Sequence, residues 1–152
     1  MTRLLGIDLG ERRIGLAVGD TATLASRALA TISRGSTERD AETLARIIAE
    51  QRIDALVIGL PLLPGGGEGA QVGATRAWVD AVVVDLGRPW SYQDERGTSI
   101  AAEADLGPAA RGRSGGAPSS AARRQRRSLI DREAARRIVQ ARLDADVRGA
   151  RP

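Results

Sequence analysis

The chain has 152 residues, 42% of them hydrophobic, which is enough for one domain with a core and too few for two large ones. It has no His and no Cys, and all 23 of its basic residues are Arg; this excludes an imidazole base, Cys or Lys nucleophiles, thiolate or imidazole metal ligands and a disulfide scaffold. The charge is polarised, with 11 Arg against 15 acids in residues 1–106 and 12 Arg against 4 acids in residues 107–152, so a basic end follows a mildly acidic body and implies a polyanionic partner.

Arg3 to Asp8 is a mainly apolar run that ends at Gly10, and Arg13 to Gly19 is a second. Together they predict two strands paired through the turn Gly10-Glu11-Arg12, with Asp8 near a strand end. After a polar stretch, Ser36 or Thr37 is placed to cap a helix carrying Ala41, Leu44, Ala45, Ile47 and Ile48 at helical spacing. Ile53 to Ile58 predicts a buried strand, broken by Gly59-Leu60-Pro61. Pro64 to Gly69 predicts a flexible loop, followed by a helix over Ala70–Leu86 with Ala74, Ala77, Trp78, Ala81 and Val82 along one side. Pro89 to Glu95 alternates as a further strand, and Thr98 to Leu106 reads as helical. Gly107 to Ser128, made of Gly, Ala, Ser, Pro and Arg without periodicity, predicts a flexible basic loop at about 107–128. A final helix from about Asp131 to Asp146 has Ala134, Ala135, Ile138 and Val139 as its inner face, and Asp131 shares that side. Strands alternating with helices define an α/β sheet in a single domain over 1–152. The longest apolar run, around Ala55 to Leu63, is far short of the roughly 18 residues that span a bilayer, so a cytoplasmic protein without membrane contact is expected.

Three carboxylates stand where solubility explains them poorly: Asp8 inside an apolar strand, Glu95 in Asp94-Glu95-Arg96, and Asp131 at the head of Ile130-Asp131-Arg132-Glu133-Ala134-Ala135. With imidazole and thiolate absent, they point to oxygen ligands for a hard cation such as magnesium or manganese. Each also has an ordinary reading. Asp8 could bond the following turn, Asp94-Glu95 could be solvated, and Asp131 could cap its helix. Since strand neighbours face opposite ways, only one of Asp94 and Glu95 can share a face with Asp8. The opening motif also resembles the phosphate hairpin of the actin, Hsp70 and sugar-kinase ATPases, but that fold needs two duplicated domains, for which this chain is too short. The Gly65-Gly66-Gly67 loop is no P-loop, because no Lys follows it. Trp78, Trp90 and Tyr92 are the only aromatics, so base-stacking platforms are not expected.

Four blocks in order, GIDLGERRIGLAVGD, IGLPLLPGGGEGAQ, DERGTS and IDREAARRIVQARLD, resemble the YqgF family, also called RuvX, of pre-16S rRNA nucleases related to the Holliday-junction resolvase RuvC. The resemblance covers nearly the whole chain apart from the segment between Gly107 and Arg123. It implies an RNase H-like fold, a five-stranded mixed sheet flanked by helices on both faces and opening with an antiparallel hairpin. It also implies an acidic catalytic and metal-binding site at Asp8, Glu95 and Asp131. Magnesium or manganese would act there as a pair of ions about 4 Å apart. Arg12, Arg13, Arg96, Arg123, Arg124, Arg126 and Arg127 are the candidates for the phosphate backbone. The implied activity is metal-dependent hydrolysis of structured RNA at the 5′ end of pre-16S rRNA. Two alternatives stand beside it. One is a Holliday-junction-resolving DNA endonuclease, which needs a dimer to cut two strands symmetrically; the other is a non-catalytic RNA-binding ribosome-assembly factor. The expected partner is accordingly pre-rRNA or branched DNA, and the expected state a monomer or weak homodimer. Three features depart from the family pattern: Leu62-Leu63-Pro64 before three glycines, Gly97-Thr98-Ser99 after the DER block, and a long Gly- and Ser-rich segment before Asp131.

Overall fold

The sheet has five strands, ordered β3-β2-β1-β4-β5, in a computed structural model that describes residues 2–94, 104, 106–107 and 115–149. β1 (Arg3–Leu9) and β2 (Arg13–Asp20) form the expected antiparallel hairpin, its turn closed by Gly10 N–H donating to the Arg13 carbonyl at 2.8 Å. β3 (Ala25–Ser33) extends the meander and was not expected from the sequence. It is an edge strand built from Ala, Ser, Thr and Arg with only Leu29 and Ile32 as large apolar residues, so it carries little hydrophobic alternation. A bulge at Leu29 shifts its register, with Leu16 opposite Ala30 but Ala17 opposite Ala28.

α1 (Thr37–Gln51) starts at Ser36, whose hydroxyl accepts from Arg39 N–H at 3.2 Å. Its buried positions are Asp40, Leu44, Ile47 and Ile48, while Ala45, expected on the inner face, is exposed. β4 (Ala55–Leu60) lies parallel to β1, and β5 (Trp90–Asp94) lies parallel to β4. Between them the expected helix over 70–86 divides: α2 (Ala70–Trp78) runs into a π-helical turn at Val79–Val83 and a 3-10 turn at Val84–Leu86. Its buried face is Val72, Thr75, Trp78, Val79, Val82 and Val83, whereas Ala74, Ala77 and Ala81 are exposed. The larger side chains win the inner face because each removes more apolar area from water than Ala does.

α3 (Ser120–Gly149) is one helix of 30 residues, beginning eleven positions before the expected start. Ser119 caps it, accepting from Ala122 N–H through its hydroxyl at 3.1 Å and from Arg123 N–H through its carbonyl at 2.9 Å. Residues 120–128, expected in the flexible loop, are therefore helical, and Asp131 lies mid-helix rather than at an N-cap. Beyond Pro118-Ser119-Ser120 the chain reads Ala-Ala-Arg-Arg-Gln-Arg-Arg, all strong helix formers. The expected helix over 98–106 falls mostly outside the described residues.

α1 and α2 pack on one face of the sheet, around Leu5, Ile7, Ile14, Leu16, Leu56 and Ile58; α3 packs on the other, where Ala135, Ile138, Val139 and Leu143 meet Leu4, Ala17 and Val57. Strand alternation separates the two sets: Leu5 and Ile7 face α1, and Leu4, Gly6 and Asp8 face α3. Among the described residues no helix is long and apolar enough to cross a membrane.

Candidate nucleic-acid cleavage site

Asp8 pairs with Gly15 in the β1–β2 ladder, and Gly15 pairs with Thr31 in the β2–β3 ladder, so the three form a row across the sheet. α3 lies directly on that row. A Cβ on Gly15 would run into the Asp131 carbonyl and the next amide, so only glycine lets the helix backbone sit this low. One turn earlier, the Thr31 hydroxyl donates to the Ser128 carbonyl at 2.6 Å. Directly paired residues project from the same face of a sheet, so Asp8 points to the side on which α3 rests. Asp8 and Asp131, 123 positions apart in sequence, are thereby brought to one corner, at the C-terminal end of β1.

The same edge carries the C-terminal ends of β4 and β5, because β1, β4 and β5 are parallel. One residue beyond the Ile7–Ile58 pair, the row containing Asp8 continues through Gly59 and Gln93. Tyr92 packs into the α1-side core, so Asp94, two residues on, shares that face and stands on the opposite side from Asp8. This removes Asp94 as a partner. Glu95 and Arg96 lie outside the described residues, and among the described residues no group of three or more acidic side chains is placed to hold a metal ion.

Asp131 is paired. The Nε of Arg13 donates to its Oδ2 at 2.5 Å, with side-chain exposures of 36% for Arg13 and 22% for Asp131. Arg13, a candidate for phosphate contact, is thus engaged with the carboxylate that the sequence assigns to a cation. The two residues line a depression of about 130 Å³ together with Gly10, Glu11 and Arg12. Arg12 is exposed on its rim. Two further residues shape the corner without having been singled out in the sequence. Glu11 adds an acid to the rim, and Arg34 braces the turn, its guanidinium donating to the Gly10 carbonyl at 3.0 Å and its amide to the Arg12 carbonyl at 2.9 Å. Only the position of Arg34 just past the end of β3, a strand with little hydrophobic alternation, reveals its role.

The basic run on α3 divides by hydrogen bonding. Arg123 donates to the Pro118 carbonyl at 2.7 Å and to the Ser120 hydroxyl at 3.3 Å, and Arg126 donates to the Gly107 carbonyl. Arg124 and Arg127 are exposed and make no such bond to a described residue.

A mixed β3-β2-β1-β4-β5 sheet, opened by an antiparallel hairpin, covered by helices on both faces and presenting a carboxylate at the end of its first strand, is an RNase H-like fold of the resolvase type. Solved structures agree at the level of fold. Thermus thermophilus RuvC superposes with a TM-score of 0.53 at 19% identity over 99% of both chains, and fowlpox virus resolvase, solved with Holliday-junction DNA, with 0.55 at 9% identity over 96% of this chain and 99% of that one. Sequence carries the comparison further. Residues 2–145 match the profile of RuvX, described as Holliday junction resolvase. A protein of Myxococcus xanthus named "Putative pre-16S rRNA nuclease" is 35% identical over 94% of this chain and 88% of its own length. A protein of the same name from Chloroflexus aggregans is 42% identical over 66% of this chain and 70% of its own length. The chain belongs to the RuvX family.

Proposed function

We propose that the corner holding Asp8 and Asp131, completed by Glu95, is the cleavage centre of a metal-dependent nuclease that acts on structured RNA in the cytoplasm and trims the 5′ end of the 16S rRNA precursor. The observation that carries this reading is the convergence of Asp8 and Asp131 on the row Asp8–Gly15–Thr31, at the strand-end edge where open α/β sheets place their ligands. The relatives' names supply the substrate class.

The residues present suit a divalent cation. The donor set is carboxylate oxygen alone, the preference of magnesium and manganese. The Asp131 carboxylate already draws a positive group to 2.5 Å in the form of Arg13. A pair of ions held by Asp8, Glu95 and Asp131 would supply Lewis-acid polarisation of the scissile phosphate and a water of lowered pKa. The chain's own contribution is positional: Gly15 and Thr31 fix the height of α3 over the sheet, and Arg12 presents an exposed guanidinium at the rim for a phosphate oxygen.

The test incubates purified protein with a precursor RNA fragment and with a four-way DNA junction, each with magnesium, manganese or chelator, alongside Asp8→Asn. RNA cleavage that requires metal and disappears in Asp8→Asn is the expected result. Preferential cutting of the junction transfers the assignment to a DNA resolvase. Binding without cleavage of either substrate under every metal condition leaves an RNA-binding factor and overturns the nuclease.

A further inference from the structure

α3 is longer than the sheet it covers. Residue 131 rests on Gly15, Ala135 and Val139 on Gly6, and Val139 and Leu143 on Gly19, so the helix runs back along β1 from its C-terminal end toward its start. The residues before Ser128 therefore run past the sheet edge beside the C-terminal end of β3 and the β1–β2 turn. None of residues 120–127 is buried. On this overhang Arg127 precedes Asp131 by four residues and Arg124 by seven, the spacing that puts three side chains on one helical stripe. At 1.5 Å per residue they lie about 6 Å and about 10 Å along the axis from Asp131. Arg126 falls on another side and Arg123 lies beside Arg127, but both are tied back, bonding the carbonyls of Gly107 and Pro118.

We infer that Arg124 and Arg127 form a two-step phosphate track that leads a single nucleic-acid strand away from the cleavage corner along the underside of the α3 overhang, and that Arg123 and Arg126 serve the local fold instead. The inference deepens the reading of Asp8, Glu95 and Asp131 as the cleavage site and rests on it for the position of the cut phosphate. Four arginines in one short run thus fall into two pairs with different work. The pair in line with Asp131 is the one without a hydrogen bond to a described residue, and a substrate strand must reach past the cut by the length of the track to gain both contacts.

Salt dependence reads the number of phosphates neutralised. Affinity for a single-stranded RNA oligonucleotide is measured in chelator, where no cleavage intervenes, across a fourfold range of salt. Each lost contact lowers the magnitude of the log–log slope by about 0.7 for a single strand. Arg124→Ala/Arg127→Ala should therefore flatten the slope by about 1.4, a sevenfold smaller loss of affinity over that range. Arg123→Ala/Arg126→Ala should keep the wild-type slope. Alanine is a strong helix former, and melting curves of both double variants confirm that the fold is retained. An unchanged slope in the first variant, or equal flattening in both, overturns the track. Cleavage assays on Asp8→Asn judge the nuclease reading separately, since the slope is recorded without metal.

Discussion

Replacing Gly15 with alanine adds one methyl group where β2 touches the backbone of α3. In the interior of a strand the local effect of Gly→Ala is favourable by about 0.5–1 kcal/mol. Here the new Cβ falls on the Asp131 carbonyl, well inside the 3.0 Å that real Cβ atoms keep, so the helix must withdraw by on the order of 1 Å. The neighbour is backbone, which has no rotamer to change, and overpacking of this kind costs about 1–3 kcal/mol, placing the net destabilisation at about 1 kcal/mol once the local gain is subtracted. For a domain of this size that is a fall in Tm of about 2–4 °C. The effect on function should be larger than on stability, because the displaced residue carries a proposed ligand, and misplacement by about 1 Å costs about 10²-fold in rate. Gly6→Ala provides the comparison. Its Cβ would meet the Ala135 carbonyl at 2.8 Å and Val139 at 3.0 Å, one turn further from the site, so it should lose stability with a smaller loss of activity. Gly73→Ala, with nothing within 4 Å in α2, should gain about 1 kcal/mol. Melting curves and kcat/KM on the precursor RNA are recorded for all three. Wild-type behaviour in Gly15→Ala, or the same ratio of activity to stability loss in Gly15→Ala and Gly6→Ala, refutes the claim that this contact sets the position of Asp131.

Arg13→Gln removes the guanidinium that would compete with the proposed cation for Asp131. Partly exposed pairs of this kind are worth about 0.2–1 kcal/mol, so the affinity for manganese without RNA should rise by up to about fivefold, read by the metal-dependent shift in Tm. An unchanged titration means that Arg13 and the cation do not compete. Asp40 is only 2% exposed and accepts from Trp78 Nε1 at 3.1 Å and from Gly35 N–H at 2.8 Å. Asp40→Ala strands both donors and should lower Tm by about 5–10 °C while leaving the metal-induced shift intact. A drop below about 2 °C, measured by calorimetry, contradicts that account.

The parts of the fold visible in the sequence are those whose local pattern and tertiary role agree. The β1–β2 hairpin, the Ser36 cap and the inner face Ala134-Ala135-Ile138-Val139 each follow from periodicity and capping chemistry, and the structure has them. β3 escaped because an edge strand of small residues is held by its ladder to β2 and by contacts such as Thr31 to Ser128, neither of which leaves a hydrophobic alternation. Of the side expected to face inward over residues 70–86, Trp78 and Val82 are buried, while Ala74, Ala77 and Ala81 yield the inner face to Val72, Val79 and Val83, because burial favours the larger side chain. Residues 120–128 of α3 lack apolar periodicity because they project past the sheet, so only their helix propensity marks them as helical, and the overhang with its Arg run is not visible in the hydrophobic pattern.

The candidate site shows the same division. That Asp8 and Asp131 are unusual was legible from residue type and inward phase; that they share a corner was not, because it depends on Gly15 as the seat for a helix more than a hundred residues later in the chain. The Arg13–Asp131 pair, spanning 118 positions, is a consequence of that seat and gives the charge asymmetry a physical meaning. In the proposed arrangement, an acidic side chain on a helix that begins with a basic run accepts a cation while the adjoining turns attract the phosphates. The same helix that completes the acidic corner therefore also carries positive charge beyond the sheet edge. Lengthening α3 past its packing partners costs little, since a capped helix of Ala, Arg and Gln sustains itself, and it converts a surface that would be merely solvated into a guide for a polyanion.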